Sequence, residues 1–531
     1  MYRGQTVDFP CGRGGKNANA NIYRIPITDL ITARNIRFDG FAWRKAPGLA
    51  LFGNEMAVAG GPSAMSGIDW RPDESTQRQV TAWDDGNVYK EVSGDLDAVT
   101  LETGLTFTNP VCFVPGGDIV SGDTKKLFLF SRGVAPIFLD ADGVTMNPIT
   151  AESIDWTVNK PSAAIYHDAR IYAFDVVSAP HNLYISSILD HGDFASADSR
   201  VFEVQPGNGD RIVAAFSYLP QTLYIFKYPR GIFEIDTTDV TSFYLPSTMI
   251  RSDIGMSGPF GVCKVGPEVL FISSNGRIYS LNALRPDVDP READITAKLN
   301  LTDFIKQNVD ASKLNFARLI YDETRKELVY FYTSKDGTIN DSSIVFDLND
   351  DEVGLKAATD DRGEYFSAVW PRIGSDSFVE IITAGVNGFA YVMNSPARNI
   401  GGTLAYMGEF EYAPNDLGVK ADALAGSQKR LDMIEITIVP TGDYFINCDI
   451  IIDGATVKTL QLSLGSAEAV FDDAEFDIDE FGGNVLLKHK VPIDTFGDHI
   501  SVRFWNDGLN EDFNISNIRV FFRALGPNYE S

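Results

Sequence analysis

Seven short hairpins recur through the middle of the chain, and this repeat constrains the fold more than any other feature. Each unit joins two runs of β-branched and aromatic residues across a turn rich in Gly, Asn and Asp. The units begin at residues 80, 127, 171, 223, 269, 328 and 381, so their spacing is 44 to 59 residues. A single hairpin cannot bury both apolar faces, whereas a closed ring of stacked units can. The repeat predicts an all-β chain with a β-propeller of about seven blades over residues 46–402.

This region has one alternative architecture and one local departure from the strand pattern. Two stacked β-sandwich domains would use the same strands, and they are the alternative architecture. Residues 302–308 (TDFIKQN) depart from the strand pattern and are typical of a short, capped helix. Because they fall in the longest interval of the repeat, we expect a helical insertion between two blades.

The period ends after residue 402. Residues 403–531 contain strands of alternating character, and the turn at Asp453 and Gly454 predicts a hairpin. They therefore predict a C-terminal β-sandwich domain. Six of its 22 acidic residues crowd into residues 472–480, which we expect to form a solvated loop. A calcium site is the alternative for this loop, although the spacing and glycine of an EF-hand are absent.

The first 45 residues have the opposite charge. They hold eight basic and three acidic residues, whereas the whole chain has a formal net charge of −28. Such a basic N-terminal arm is typical of docking onto an acidic neighbour, with Arg3, Arg13, Lys16 and Arg24 as the candidate contacts. Residues 36–38 (IRF) are expected to be the strand of the last blade that closes the ring. Residues 2–24 are then expected to be dispensable for folding.

The acidic balance of the chain makes free nucleic acid a poor partner, because affinity for phosphates comes mostly from basic residues. The four cysteines, Cys11, Cys112, Cys263 and Cys448, form no CxxC motif, which predicts unpaired thiols and a reducing compartment. The sequence contains no run of the roughly 18 apolar residues that a helix needs to span a membrane. The first residues also lack the apolar core of a secretion signal.

The sequence contains none of the common catalytic motifs we sought. HExxH and GxSxG are absent, and the glycines before Lys16 lack the spacing and the following Ser or Thr of a P-loop. The nearest match to the Asp-box of sialidase propellers, residues 334–338 (SKDGT), has the wrong spacing. We therefore expect no enzyme activity, and we assign no catalytic, cofactor-binding or metal-binding residue and no cofactor.

Several stretches, in their order along the chain, resemble one family. The first resembles an opening that pairs an A-R-N strand with an R-K-x-P-G turn, and the last resembles a closing strand. The stretches are residues 32–40 (TARNIRFDG) with 43–48 (WRKAPG), 207–212 (GNGDRI) leading to 223–227 (LYIFK), 254–255 with 269–279 (VLFISSNGRIY), and 497–504 (GDHISVRF). Over about residues 30–525 the chain resembles the tail nozzle proteins of short-tailed bacteriophages, also called packaged-DNA stabilisation proteins.

This resemblance implies a structural virion protein assembled in the cytoplasm of a bacterial host. Its subunits would form a homohexameric ring below the portal and the adaptor (the head-to-tail connector), next to tail fibres or spikes. The ring would retain packaged DNA and pass it through its lumen during ejection without specific binding. Arg3, Arg13, Lys16 and Arg24 would then dock onto a neighbouring subunit or onto the adaptor.

Two other functions stay open from the sequence. The chain could be a glycan-binding or glycan-cleaving propeller, such as a tailspike-like receptor binder, or a scaffold propeller outside a virus. Assembly into a ring separates the nozzle from both alternatives, and binding of a sugar separates the glycan binder from the scaffold.

Overall fold

The structure is a computed structural model. It describes residues 5–525 except for 12–13, 20, 41, 57–60, 74–75, 119–124, 207–209, 241–246, 285–288, 349–355, 363–365, 375–377, 419–427 and 466–485. Five strands precede the repeat region. They are β1 (Gln5–Pro10), β2 (Leu30–Arg34), β3 (Ile36–Asp39), β4 (Ala42–Lys45) and β5 (Gly48–Phe52), with a 3-10 helix at Ile22–Arg24.

Seven groups of antiparallel strands follow and form the blades of a propeller; six are separate sheets, and blade 6 is one end of a nine-stranded sheet. Blades 1 to 3 are β6 (Ala64–Trp70), β7 (Arg78–Trp83), β8 (Val88–Val92) and β9 (Asp95–Glu102); β10 (Cys112–Gly116), β11 (Lys126–Ser131), β12 (Val134–Leu139) and β13 (Met146–Pro148); and β14 (Pro161–His167), β15 (Arg170–Val176), β16 (Asn182–Ile185) and β17 (Arg200–Glu203). Blades 4 and 5 are β18 (Arg211–Leu219), β19 (Thr222–Tyr228), β20 (Ile232–Asp236) and β21 (Ser247–Arg251); and β22 (Val262–Val265), β23 (Glu268–Ile272) and β24 (Ile278–Ser280). Blades 6 and 7 are β25 (Arg318–Asp322), β26 (Glu327–Tyr332), β27 (Ser342–Asp347) and β28 (Lys356–Asp360); and β29 (Ala368–Ile373), β30 (Val379–Ala384) and β31 (Ala390–Ser395).

The predicted propeller fold is confirmed. Each of the seven hairpins expected from the sequence supplies the second and third strands of one blade, from β7 and β8 to β30 and β31. In blades 2, 3 and 6 every residue of the second strand is buried, namely in Lys126–Ser131, Arg170–Val176 and Glu327–Tyr332. Their continuous apolar runs made the repeat visible, because strands packed on both faces lack the alternation of surface strands.

Three of the hairpin turns share one geometry. The glycine of each turn is left-handed, which costs an L-residue about 1–2 kcal/mol, and the preceding Asp or Asn accepts a hydrogen bond from the backbone N–H two residues further on. The three turns are Asp85-Gly86 (φ 84° at the glycine), Asn275-Gly276 (φ 80°) and Asn387-Gly388 (φ 76°). The Asp-Gly and Asn-Gly pairs thus encode the same turn in blades 1, 5 and 7.

Blade 5 has three strands, and helices follow its last strand. These helices are α1 (Pro290–Ala293), α2 (Ile295–Lys298) and α3 (Thr302–Asn308), followed by a 3-10 helix at Ala311–Lys313. The expected insertion at residues 302–308 is therefore α3. Ile305 is 3% exposed and packs in the apolar cluster between blades 5 and 6, so the helix fills the space between two blades.

The ring is closed by β5, which pairs antiparallel with β31 as the outer strand of blade 7. The expectation that residues 36–38 close the ring is wrong. That segment is β3, and it pairs with β4 in a different sheet. Both segments are short apolar strands, and only the pairing with a strand distant in sequence distinguishes them.

The second domain is a β-sandwich, and its C-terminal strands are β32 (Gly408–Tyr412), β33 (Lys429–Ile438), β34 (Phe445–Ile452), β35 (Ala455–Ser463), β36 (Leu487–Gly497), β37 (Ile500–Asn506) and β38 (Asn514–Ala524). One sheet has the order β3-β4-β38-β33-β36, and β1 also pairs with β38. The other has the order β2-β32-β37-β34-β35, and β2 pairs in parallel with β28 of blade 6. The hairpin predicted at Asp453 and Gly454 joins β34 to β35.

The N-terminal strands β1 to β4 are thus part of the sandwich rather than an arm. Phe9 and Trp43 are fully buried in the sandwich core together with Phe410 and Phe504, and Val7 is 2% exposed there. The expectation that residues 2–24 are dispensable is therefore contradicted, because their removal would take β1 out of a sheet and open this core. The propeller is inserted in sequence between β4 and β32 of the sandwich.

Candidate functional site

Charged side chains are buried at several places in the described part of the chain, and the first of note is the junction between the sandwich and blade 6. Arg37 of β3 lies 3.3 Å from Glu327 and 3.4 Å from Asp360, both of blade 6. All three side chains are at most 8% exposed. Buried ion pairs of this kind fix the relative placement of two surfaces, because separating them would leave uncompensated charges.

A second arginine completes this cluster. Arg362 forms a hydrogen-bonded ion pair with Asp360, and its guanidinium also donates to the carbonyl oxygen of Pro47 and lies 5.0 Å from the ring of Tyr406. Burial by itself would raise the pKa of Asp360, but Arg362 and Arg37 outweigh it and hold that pKa below its ordinary value. Asp360 is therefore ionised at neutral pH.

Lys45 also lies close to Tyr406, with its Nζ 4.9 Å from the ring. Lys45 is fully buried, its Nζ donates to Asn506 and to the carbonyl oxygen of Gly508 at 3.0 Å, and burial lowers its pKa to about 8. Asp512 of the sandwich accepts hydrogen bonds from Arg44 at 2.7 Å and from Arg398 at 2.9 Å. The two domains are therefore held by several charged contacts rather than by a flexible linker.

Two of the four candidate docking residues, Arg3 and Arg13, lie outside the described residues. Lys16 is not at a free surface: its Nζ lies 5.1 Å from the ring of Phe304 in α3, and burial lowers its pKa. The glycine before it allows a close approach, since a Cβ on Gly15 would lie 2.6 Å from the backbone nitrogen of Ala357. Arg24 is exposed at the end of the 3-10 helix.

The second place is the axis of the propeller, where the innermost strands of the blades meet. A cavity of about 350 Å³ lies there, lined by residues of β6, β10, β22, β25 and β29. Most of its walls are apolar, including Phe113, Phe260 and Trp370. Gly67 allows the Trp370 indole to pack against β6, because a Cβ at that position would lie 2.5 Å from the ring.

Arg318, the first residue of β25, lines this cavity and reaches from blade 6 to blades 7 and 1. Its Nη1 donates to the carbonyl oxygen of Val369 in blade 7 at 3.0 Å, and its Nη2 donates to that of Met65 in blade 1 at 2.9 Å. The guanidinium lies 4.2 Å from the ring centroid of Phe260. Burial lowers the pKa of Arg318 to about 10, so it remains a cation at neutral pH.

A second cavity, of about 360 Å³, opens at one end of the same axis. It shares Asp69 with the first cavity and is lined also by Arg71, Lys125 and His191, with Tyr166 43% exposed at its rim. His191 is held in place by two contacts, since its Nδ1 accepts from the backbone of Gly117 and its Nε2 lies 2.9 Å from the carbonyl oxygen of Ala169.

No group of three or more metal-ligating side chains occurs in the part of the chain that the structure describes. The acidic stretch at residues 472–480 lies outside that part. All four cysteines are unpaired, as expected, and burial raises the pKa of Cys112 and of Cys263 to about 11. Among the described helices, none is long and apolar enough to cross a bilayer.

The burial of three cations, Arg318, Arg37 and Arg362, was not predicted from the sequence. The first begins the run RLIYD (318–322), which is an ordinary strand signal, and its reach across the axis is a property of the closed ring. Arg37 was counted in the basic excess of the N-terminal segment. A cation flanked by strand residues, as in residues 36–38, was the available signal that this charge is buried.

No family model matches the chain, and no curated protein matches it. Among solved structures, the β-propeller domain of Cps50 (Swd1) from Myceliophteria thermophila is 11% identical, covering 65% of this chain and 99% of that one with a TM-score of 0.40. The WD40 β-propeller domain of Doa1 is 9% identical over 65% and 96%, with a TM-score of 0.38. BamB from Moraxella catarrhalis is 12% identical over 62% and 97%, with a TM-score of 0.33. These similarities carry no argument about function, and the propeller fold rests on the seven blades described above.

Proposed function

We propose that this chain is a structural subunit of the tail nozzle of a short-tailed bacteriophage. Copies of it would form a ring below the portal and adaptor that retains the packaged DNA and conducts it during ejection. The observation that carries the proposal is the ordered set of family-like stretches along the sequence, which now map onto a propeller and a sandwich joined by buried ion pairs. A ring that withstands the passage of a genome needs subunits that do not bend at their domain boundary.

The filled axis of the propeller supports a ring rather than a single DNA-conducting subunit. Arg318 bridges blades 6, 7 and 1 where the innermost strands meet, and the cavity beside it measures about 350 Å³. A DNA duplex, whose major groove alone is about 12 Å wide, cannot pass through such a space. Any DNA channel must therefore lie between copies of the chain.

The charge of the chain agrees with a lumen that passes DNA without holding it. Residues 46–402 carry 48 acidic and 28 basic residues. An acidic surface repels phosphates, whereas a surface that binds DNA neutralises them with Lys and Arg. We expect no tight binding of duplex DNA by the purified protein at about 150 mM salt, because such contacts weaken steeply with salt.

The basic docking role now falls on fewer residues. Of the candidates within the described part of the chain, Arg24 is exposed, whereas Lys16 packs inside the molecule. We propose that Arg24 contacts an acidic patch on a neighbouring copy or on the adaptor. Arg24→Glu should then weaken assembly on adaptor-bearing particles, while Lys335→Glu, the same charge change in an exposed turn of blade 6, should leave it unchanged.

Native mass spectrometry of the protein assembled on its adaptor tests the ring directly. The proposal expects six copies for each adaptor ring, with assembly that weakens as salt is raised. One copy per tail would contradict it.

A glycan-binding propeller is the second candidate, and the cavity at the end of the axis favours it. Exposed Tyr166 offers a face on which a sugar can stack, and Asp69, Arg71 and Lys125 offer polar groups beside it. Binding to a glycan array that is lost in Tyr166→Ala would support this function. The absence of binding to any glycan would leave the nozzle as the sole candidate of the two.

A further inference from the structure

The axial cavity contains a cation without a matching anion. Arg318 is 5% exposed, and within the described residues no carboxylate lies at ion-pair distance from its guanidinium. Its two hydrogen-bonded nitrogens face backbone carbonyls and the Ser66 hydroxyl, the last at 3.5 Å. Its Nε is buried and has no hydrogen-bond partner. A buried, uncompensated charge is costly, so an anion that enters the cavity would gain energy from it.

The carboxylate that lines the same cavity does not serve as that anion. Asp69 accepts hydrogen bonds from Gln79 at 2.6 Å, from Gln77 at 2.9 Å and from the backbone N–H of Ile373 at 3.0 Å. Its charge is also offset by Arg71 at 3.5 Å. The carboxylate of Asp69 therefore already has its hydrogen-bond and ion-pair partners on its own side of the cavity. It does not neutralise the guanidinium of Arg318, which can still bind an anionic ligand.

The residues that line the axial cavity indicate what kind of anion would fit. Phe113, Phe260, Leu319 and Trp370 present apolar surface around the single cation. Sites for small molecules typically enclose about 300–1,000 Å³ of mostly apolar wall with a few polar groups. The cavity of about 350 Å³ is at the small end of this range. A bare inorganic anion would leave the apolar walls unfilled, whereas a carboxylate with a compact apolar body would contact both.

We propose that the axial cavity of the propeller binds a small hydrophobic carboxylate, with the carboxylate on the guanidinium of Arg318 and the apolar body against Phe260 and Trp370. Arginine suits this task because its planar fork matches the two oxygens of a carboxylate. The bound ligand would tie blades 1, 6 and 7 together at the axis, since Arg318 of blade 6 already donates hydrogen bonds to carbonyl oxygens of blades 7 and 1.

Isothermal titration calorimetry of the full chain with benzoate and with benzamide tests this assignment by measuring both affinities. The two probes have nearly the same shape and differ in charge. Benzoate is expected to bind at least about tenfold more tightly than benzamide, which corresponds to about 1.4 kcal/mol. Inorganic phosphate, which lacks an apolar body, is expected to bind at least tenfold more weakly than benzoate. Equal binding of benzoate and benzamide, equal binding of phosphate, or no saturable binding of benzoate would each overturn the proposal.

Two variants separate a ligand site from a purely structural role of the arginine. Arg318→Met should abolish the preference for benzoate over benzamide. Val262→Phe keeps Arg318 and narrows the cavity that Val262 lines, so it should weaken benzoate binding at least tenfold while preserving the fold. If Arg318→Met does not fold, the second variant decides, and unchanged benzoate affinity in Val262→Phe would contradict the assignment.

Discussion

Ala50 pairs with Val392, so the strand that opens the propeller region also completes its last blade. The two residues lie on β5 and β31, and nearly the whole propeller separates them in sequence. Because β5 precedes blade 1 in sequence and pairs with β31, it links blade 7 to the N-terminal segment. The sandwich, which flanks this segment and follows blade 7, is linked to the ring at the same place.

The closing strand offers a matched pair of substitutions. Leu49 is fully buried between blades 6 and 7, whereas Leu51, two residues further along β5, is 46% exposed. Leu49→Ala should lower the free energy of unfolding by about 2–5 kcal/mol, because it removes buried methyl groups and leaves a cavity. Leu51→Ala should lower it by less than about 1 kcal/mol, as surface substitutions do. Urea denaturation of both variants measures the difference, and equal losses would show that β5 does not close the ring.

The domain junction depends on the charge of Asp360. Asp360→Asn removes the anion between two buried arginines, Arg362 and Arg37, and should cost about 3–5 kcal/mol of unfolding free energy. Asp494→Asn, which breaks the ion pair with Arg430 at an exposed site, should cost at most about 1 kcal/mol. Thermal denaturation compares the two. A loss in Asp360→Asn no larger than in the control would mean that the buried cluster does not hold the domains.

The N-terminal strand β1 is expected to be required for the sandwich. Phe9 is fully buried and stacks edge-on against Tyr412 at 5.3 Å between ring centroids, so Phe9→Ala should cost about 3–5 kcal/mol. Tyr23 is 56% exposed, and Tyr23→Ala should have a small effect. Limited proteolysis should cut the sandwich strands faster in Phe9→Ala alone. Unchanged protection would indicate that β1 contributes little to the core.

Stability should fall as the pH drops below about 6.5, the ordinary pKa of histidine. His167 is 1% exposed and its ring nitrogens lie 2.8 Å from Ser217 and Thr237; burial lowers its pKa, while nearby Asp168 opposes this only in part. Between pH 6.5 and the lowered pKa, the unfolded chain therefore binds a proton at His167 that the folded chain does not bind. The free energy of unfolding falls as the pH falls through this range.

The measurement is urea denaturation at pH 7.5 and 5.5 for three proteins. His167→Gln should lose less stability between the two pH values than the unmodified chain. His191→Gln removes a second histidine whose pKa is lowered by burial, so it should also lose less stability than the unmodified chain. Identical pH dependence in all three would contradict the assignment to His167.

The sequence was sufficient for the fold class because the information lies in local patterns. The second strands of several blades are buried on both faces, and turns such as Asn275-Gly276 mark where the hairpins reverse. Pairing over long distances has no such local mark. Residues 36–38 and the true closing strand Gly48–Phe52 read alike as isolated strands, and only their partners, β4 and β31, tell them apart.

The burial of the interior charges could not be predicted from the sequence for a related reason. A count of basic residues does not say whether an arginine faces solvent or another domain. Arg37 and Lys45 contribute to the basic excess of the first 45 residues, yet both are buried at the junction. Arg318 reaches blades 1 and 7 only because the ring is closed, so its position at the axis follows from the tertiary structure alone.

The most direct test of the nozzle proposal is electron cryomicroscopy of assembled phage particles that contain this chain. The account predicts a ring of six copies below the adaptor, with the DNA path along the sixfold axis between the copies and the axis of each propeller closed. A single copy per tail, or DNA threaded through the axis of one propeller, would contradict it.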